Sequence, residues 1–140
     1  MKRFLVAVDG SEASVKAVRA VLSLAEPLGA GVTLLYVVPP AVGGVGAAWA
    51  PLDEIHASEV KHGQKVLAEV LASVGQSALS IETRAVVGPP VETIASTAAD
   101  EDYELVAVGS TGKGAVKRLL LGSTADRLVQ LSQKPVLVVR

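Results

Sequence analysis

Glycines and hydroxyl side chains crowd one stretch of the last third of the chain: Gly109-Ser110-Thr111-Gly112-Lys113-Gly114, followed by Gly122-Ser123-Thr124. Their shared chemistry is anion binding. Glycine lets backbone amides approach an oxyanion closely, hydroxyls donate to it, and the N-terminus of a helix offers free N–H groups with a partial positive charge. Lys113, Lys117, Arg118 and Arg127 surround the stretch against Asp126 alone, so the region is locally basic. The plainer alternative is that the glycines only permit tight turns. Asp9, before Gly10-Ser11, is a second candidate: an acceptor in a crevice, or a carboxylate that shapes the turn.

Known phosphate signatures fail by position. A Walker A loop needs glycine where Ala107 stands and a hydroxyl where Gly114 stands, and a dinucleotide fingerprint needs glycine at Lys117. A phosphoacceptor aspartate would end the third strand, where Gly88 stands instead. His56 and His62 are six residues apart on a helix, roughly 240° around it, which separates them and predicts surface histidines. Asp100-Glu101-Asp102 with Glu104 reads as a solvated acidic turn rather than a metal site.

The elements that must position these residues follow from composition and periodicity. The chain has 140 residues, half of them hydrophobic but only 3% aromatic, and a formal charge of −1. That is one domain with a full core, too apolar for disorder and without the basic surface that nucleic acid requires. With Cys 0, disulfides, thiolate metal sites and cysteine nucleophiles are excluded, which suits a reducing, cytoplasmic setting. The apolar run after Met1-Lys2-Arg3 stops at Asp9, too short for a signal peptide. The uncharged stretch from Pro27 to Leu52 is broken by Pro39-Pro40, Pro51 and glycines, so it reads as strand and loop, not as a membrane span.

Strands are expected at Phe4–Val8, Val32–Val38, Leu79–Val87, Leu105–Gly109 and Pro135–Val139. Between them fall a helix capped by Ser11 and running to Leu28 on a Val15, Val18, Leu22, Ala25 stripe, and the long Ala41–Ala50 loop. Helices from Leu52 to Val74 on a Val66, Val70, Val74 stripe, from Pro89-Pro90 to Ala99, and from Ser123 to Leu131 complete the order. Strict alternation predicts an open, five-stranded parallel α/β sheet with helices on both faces. The third strand alternates inward Leu79, Ile81, Thr83, Ala85 and Val87 with polar neighbours, as an edge strand would. Ligands in such sheets bind beyond the carboxyl ends of the strands where strand order reverses, with strand 1 beside strand 3 or strand 4.

Gly109-x-x-Gly112, nine residues, then Gly122-Ser123 resembles the G-x-x-G-x9-G-[S/T] nucleotide-binding motif of the ATP-binding branch of the universal stress protein family. The resemblance extends over the chain: Val6-Ala7-Val8-Asp9-Gly10-Ser11, Leu35-Tyr36-Val37, Gly88-Pro89 and Pro135–Val139. It implies a Rossmann-like fold of the adenine nucleotide alpha hydrolase type with strand order 3-2-1-4-5. It also implies ATP, with Mg2+ or Mn2+ on its phosphates, as the ligand. Ala7 and Val37 then border the adenine, Asp9 takes the ribose or a phosphate-bound metal, and Val108, Gly109, Gly112, Gly122, Ser123 and Thr124 take ribose and phosphates. Ala125 departs from the pattern where some members carry a further hydroxyl. Neither Ala7 nor Val37 is aromatic, so the base is expected among small aliphatic groups with no ring to stack on.

Few carboxylates surround these positions, so a nucleotide-dependent stress regulator with slow or no hydrolysis is expected. The alternatives are an enzyme using ATP for adenylyl transfer or hydrolysis, and an interaction module with a vestigial site. The resemblance further implies a homodimer through strand 135–139, an apolar edge. The Ala41–Ala50 loop with Trp49 is read either as a lid over the nucleotide or as a passive connector.

Overall fold

Phe4, Leu5, Val6 and Ala7 are all buried, because the strand they form lies at the centre of the sheet with a helical layer on each face. The computed structural model describes residues 2–41, 52–111 and 121–140. In chain order these form β1 (Arg3–Ala7), α1 (Glu12–Ala25), β2 (Gly31–Val38), α2 (Leu52–Val74), β3 (Ile81–Val87), α3 (Pro90–Asp100), β4 (Leu105–Gly109), α4 (Ser123–Leu131) and β5 (Val136–Val139). All strand pairs are parallel and their order is β3-β2-β1-β4-β5. Strand 1 therefore lies beside strands 2 and 4, and β3 and β5 are the edges.

Side chains alternate across the pleat and build two cores. Phe4, Val6 and Leu34 pack with Val18 and Val21 of α1 and Leu67 and Val70 of α2. Leu5, Ala7, Leu35 and Val106 face the other way, onto Ile94 of α3 and Leu128 of α4. Each fully buried Val or Leu contributes about 1.5–3 kcal/mol relative to exposure. Tyr103, the largest fully buried side chain, donates from its hydroxyl to Thr33 Oγ1 at 2.8 Å, which satisfies the polar atom it carries into the second core.

Four expectations change in detail. α1 buries Ser14, Ala17, Val18, Val21 and Ala25, with Val15 and Leu22 only flanking the core, because small residues sit where the helix approaches the sheet most closely. The helix stops at Ala25 and continues as one 3-10 turn, Glu26–Leu28, since Pro27 has no N–H to carry the α pattern onward; Gly29 ends it at φ +59°. On β3, Thr83 and Val87 are exposed while Arg84 is half-buried, since its guanidinium is held in two hydrogen bonds, 2.6 and 2.7 Å, to Glu101. β5 begins after Pro135, whose carbonyl accepts from Val106 N–H but which has no N–H to donate.

The acidic residues of the turn, Asp100, Glu101, Asp102 and Glu104, are all exposed, as expected of a solvated turn, and two of them are also paired. Glu101 joins Arg84, and Asp102, at φ +55°, accepts from Lys134 Nζ at 2.7 Å. Hydrogen bonding to Arg84 holds the Glu101 carboxyl below the usual range, and Lys134 does the same for Asp102. No helix among the described residues is long and apolar enough to cross a membrane.

Candidate functional site

The carboxyl ends of β1, β2 and β4 open into a cleft of about 630 Å³, closed at the sides by the first turns of α1, α3 and α4. Ala7, Asp9, Val37, Val108, Gly109, Gly122, Ser123 and Thr124 all line it, brought together from four separate parts of the chain. Gly112 lies outside the described residues, as do Lys113, Lys117, Arg118 and Trp49. Both readings of the Ala41–Ala50 loop fall largely there too, with only Ala41 described.

The first wall is the turn after β1. Gly10, at φ +82°, takes a left-handed conformation that lets the chain reverse from strand to helix. Asp9 Oδ1 accepts from Ser11 N–H at 2.8 Å, so the turn-forming role of Asp9 is present, while its exposed carboxylate still borders the cleft. Ser11 Oγ caps α1 by accepting from Ser14 N–H at 3.1 Å, and Ser14 Oγ donates to the Ser11 carbonyl at 2.9 Å. A closed set of short-range bonds thus fixes where Asp9 stands.

The second wall is β4 and the start of α4. A Cβ on Gly109 would lie 2.7 Å from the Ala13 carbonyl carbon, so this glycine is required by the close passage of α1 over the strand end. Ser110, counted among the hydroxyls of an anion cradle, is buried and works through its backbone. Its N–H donates to Val139 O at 2.7 Å and its carbonyl accepts from Gly122 N–H at 2.6 Å, which joins the two ends of the intervening segment. α4 begins at Gly122 with no side-chain cap, and its first intrahelical bond runs from Asp126 N–H to Gly122 O at 3.0 Å. The amides of Ser123, Thr124 and Ala125 precede that bond, at the positive end of the helix and on the cleft wall. Arg127 does not join them, because it is paired with Glu92 of α3 at 2.8 Å.

Between these walls the floor is apolar: Leu35, Val37, Pro39, Pro90, Ile94, Val108 and Ala125. Sequence reasoning missed Pro39, Pro90, Ile94 and above all Tyr36. The described lining carries one ring, Tyr36, in addition to the Ala7 and Val37 expected to border the base. Burial, then Glu59 and Asp9, push the Tyr36 phenol above its ordinary pKa. His56 is also more than a surface residue: half-buried, its Nε2 accepts from Ala41 N–H at 3.0 Å, just past β2, while His62 is exposed.

Chemically the cleft joins an apolar slot to amides and hydroxyls at the start of α4 that have no partner among the described residues, with Asp9 as the charged side chain of the described lining. Among the described residues no group of three His, Cys, Asp or Glu could hold a metal.

The model of the universal stress protein family matches residues 1–140. Universal stress protein YxiE of Bacillus subtilis (strain 168) is 34% identical, with 99% of this chain and 98% of that protein covered. Among solved structures, universal stress protein UspA from Lactobacillus plantarum superposes with a TM-score of 0.85 at 28% identity, covering 99% of this chain and 97% of that one. A universal stress protein in complex with cAMP shares the fold, with a TM-score of 0.68 at 24% identity over 99% of this chain and 96% of that one. With a full-length family match, a full-length relative and the same strand order, the chain belongs to the universal stress protein family.

Proposed function

We propose that the cleft binds an adenine nucleotide, ATP in the first place, and that the protein is a nucleotide-dependent regulator with slow or no hydrolysis. One observation carries this reading: the apolar slot ends on the uncapped first turn of α4, where Ser123 and Thr124 add hydroxyls to free amides. A base fits the slot beside Ala7 and Val37, and Asp9 accepts from the ribose or supports an ion on the phosphates. Val108, Gly109, Gly112, Gly122, Ser123 and Thr124 take ribose and phosphates. A related fold bound to cAMP supports the choice of an adenine nucleotide. The cytoplasm, where ATP is abundant, suits a cysteine-free chain. Slow turnover is the expectation because Asp9, the carboxylate of the described lining, is engaged by Ser11 N–H and so is not a free base.

Denaturing the purified protein and identifying the released nucleotide, followed by titration with ATP, tests the ligand; ATP or ADP is expected. Absence of copurified nucleotide together with no titratable binding overturns the reading. A turnover above about 1 s⁻¹, in the range of ordinary enzymes, favours the alternative of adenylyl transfer or hydrolysis instead.

We further propose a homodimer through 135–139. β5 pairs with β4 on one side only, and Val136–Val139 remain half-buried without a charged side chain. The opposite edge, β3, carries Glu82 and Arg84, which discourage edge pairing. Sedimentation at micromolar concentration is expected to give a dimer, and Leu137→Lys a monomer. A monomeric wild type overturns the proposal.

A further inference from the structure

We propose that Tyr36 is a specificity-determining residue, whose hydroxyl works with Asp9 to read the vicinal hydroxyls of the ribose; this rests on the nucleotide reading above. Tyr36, on β2, and Asp9, in the turn after β1, line the same cleft, and β2 and β1 are hydrogen-bonded neighbours with Ala7 opposite Leu35. The ring is seated rather than loosely placed. A Cβ at Gly63 would lie 2.5 Å from Tyr36 Cδ1 and 2.9 Å from Cε1, so the bare backbone of α2 backs the ring. Glycine inside a helix is unfavourable relative to alanine, and α2 carries that cost at the one position where the ring rests on it. The phenol makes no hydrogen bond among the described residues that would commit it elsewhere.

The surrounding charges decide what the hydroxyl can do. The phenol is a neutral donor, its ionisation disfavoured first by burial and then by Glu59 and Asp9, and it shares the cleft with the Asp9 carboxylate acceptor. A donor next to an acceptor matches a cis-diol, in which each hydroxyl can both give and receive a hydrogen bond. It does not match a phosphate, which Asp9 and Glu59 would repel. Phosphates are thereby directed to the opposite wall, at the start of α4. A site that pairs with a substrate hydroxyl also discriminates against the analogue lacking it, because its own polar groups are then left unpaired.

The experiment compares ATP, 2′-deoxy-ATP and 3′-deoxy-ATP on the wild type and on Tyr36→Phe, by titration calorimetry. The wild type is expected to bind at least one deoxy analogue about three- to tenfold more weakly than ATP, the range for one neutral hydrogen bond. Tyr36→Phe is expected to lose affinity for ATP while keeping its affinity for that analogue, so the ratio falls toward one. Equal binding of all three nucleotides by the wild type overturns the proposal without any variant. A Tyr36→Phe protein that weakens every ligand alike also overturns it, since that is the mark of a purely structural ring. Failure of every nucleotide to bind overturns the nucleotide reading itself, and this inference with it.

Discussion

Gly109→Ala is expected to lower the thermal midpoint by about 3–10 °C and to weaken nucleotide binding at the same time. The added Cβ would stand 2.7 Å from the Ala13 carbonyl carbon, 2.8 Å from Ala13 Cβ and 2.9 Å from the Ala13 oxygen. Two of those three atoms are backbone, so no rotamer change relieves the contact and α1 must move away from β4. Overpacking of this kind costs about 1–3 kcal/mol, and each kcal/mol shifts the midpoint of a chain this size by a few degrees. Because α1 carries the Asp9–Ser14 turn on its N-terminus, its displacement opens the cleft between β1 and β4. Adding Ala13→Gly removes only the side-chain contact, so rescue should be partial. A Gly109→Ala protein with an unchanged midpoint and lost binding would assign the glycine to the ligand alone.

That dual role marks where the sequence was legible and where it was not. Element order could be read because β1, β2 and β4 are mostly apolar runs ended by Gly, Pro or Asp, as a buried parallel sheet accommodates, whereas the strand order followed from the family resemblance. Two turns of the cleft could be found from the strand ends, Asp9-Gly10 after β1 and the one that opens at Gly109 of β4, whereas Val37 followed from the family resemblance. What escaped depends on distances between elements that no local pattern encodes. Arg127 counts toward the local positive charge around the glycine stretch, but α3 places Glu92 beside it. Ser110 looked like a cradle hydroxyl, but its register against Val139 buries it. Tyr36 reaches the cleft only because Gly63, 27 positions later, leaves room on α2. The exposed Thr83 likewise reflects incomplete helical cover at the sheet edge, although the strand alternates as an inward residue requires.

Ser123→Glu is expected to separate stability from binding in one substitution. Ser123 is exposed at the first position of α4, where the N-cap Gly122 supplies no side-chain oxygen. A carboxylate there faces free amides at the positive end of the helix and is favourable by about 0.3–1 kcal/mol. The thermal midpoint should therefore hold or rise slightly. The same carboxylate occupies the place argued for the phosphates and adds a like charge within a few ångström of them, a juxtaposition that costs several kcal/mol in a partly buried site. ATP affinity should fall by roughly a hundredfold, against less than tenfold for Ser123→Ala, which removes one neutral donor. The loss should be smaller for adenosine than for ATP, because adenosine keeps the slot and ribose contacts and brings no phosphate. Equal losses for adenosine and ATP would place the phosphates elsewhere. A midpoint that falls together with the affinity would trace the loss to unfolding of α4 and not to charge.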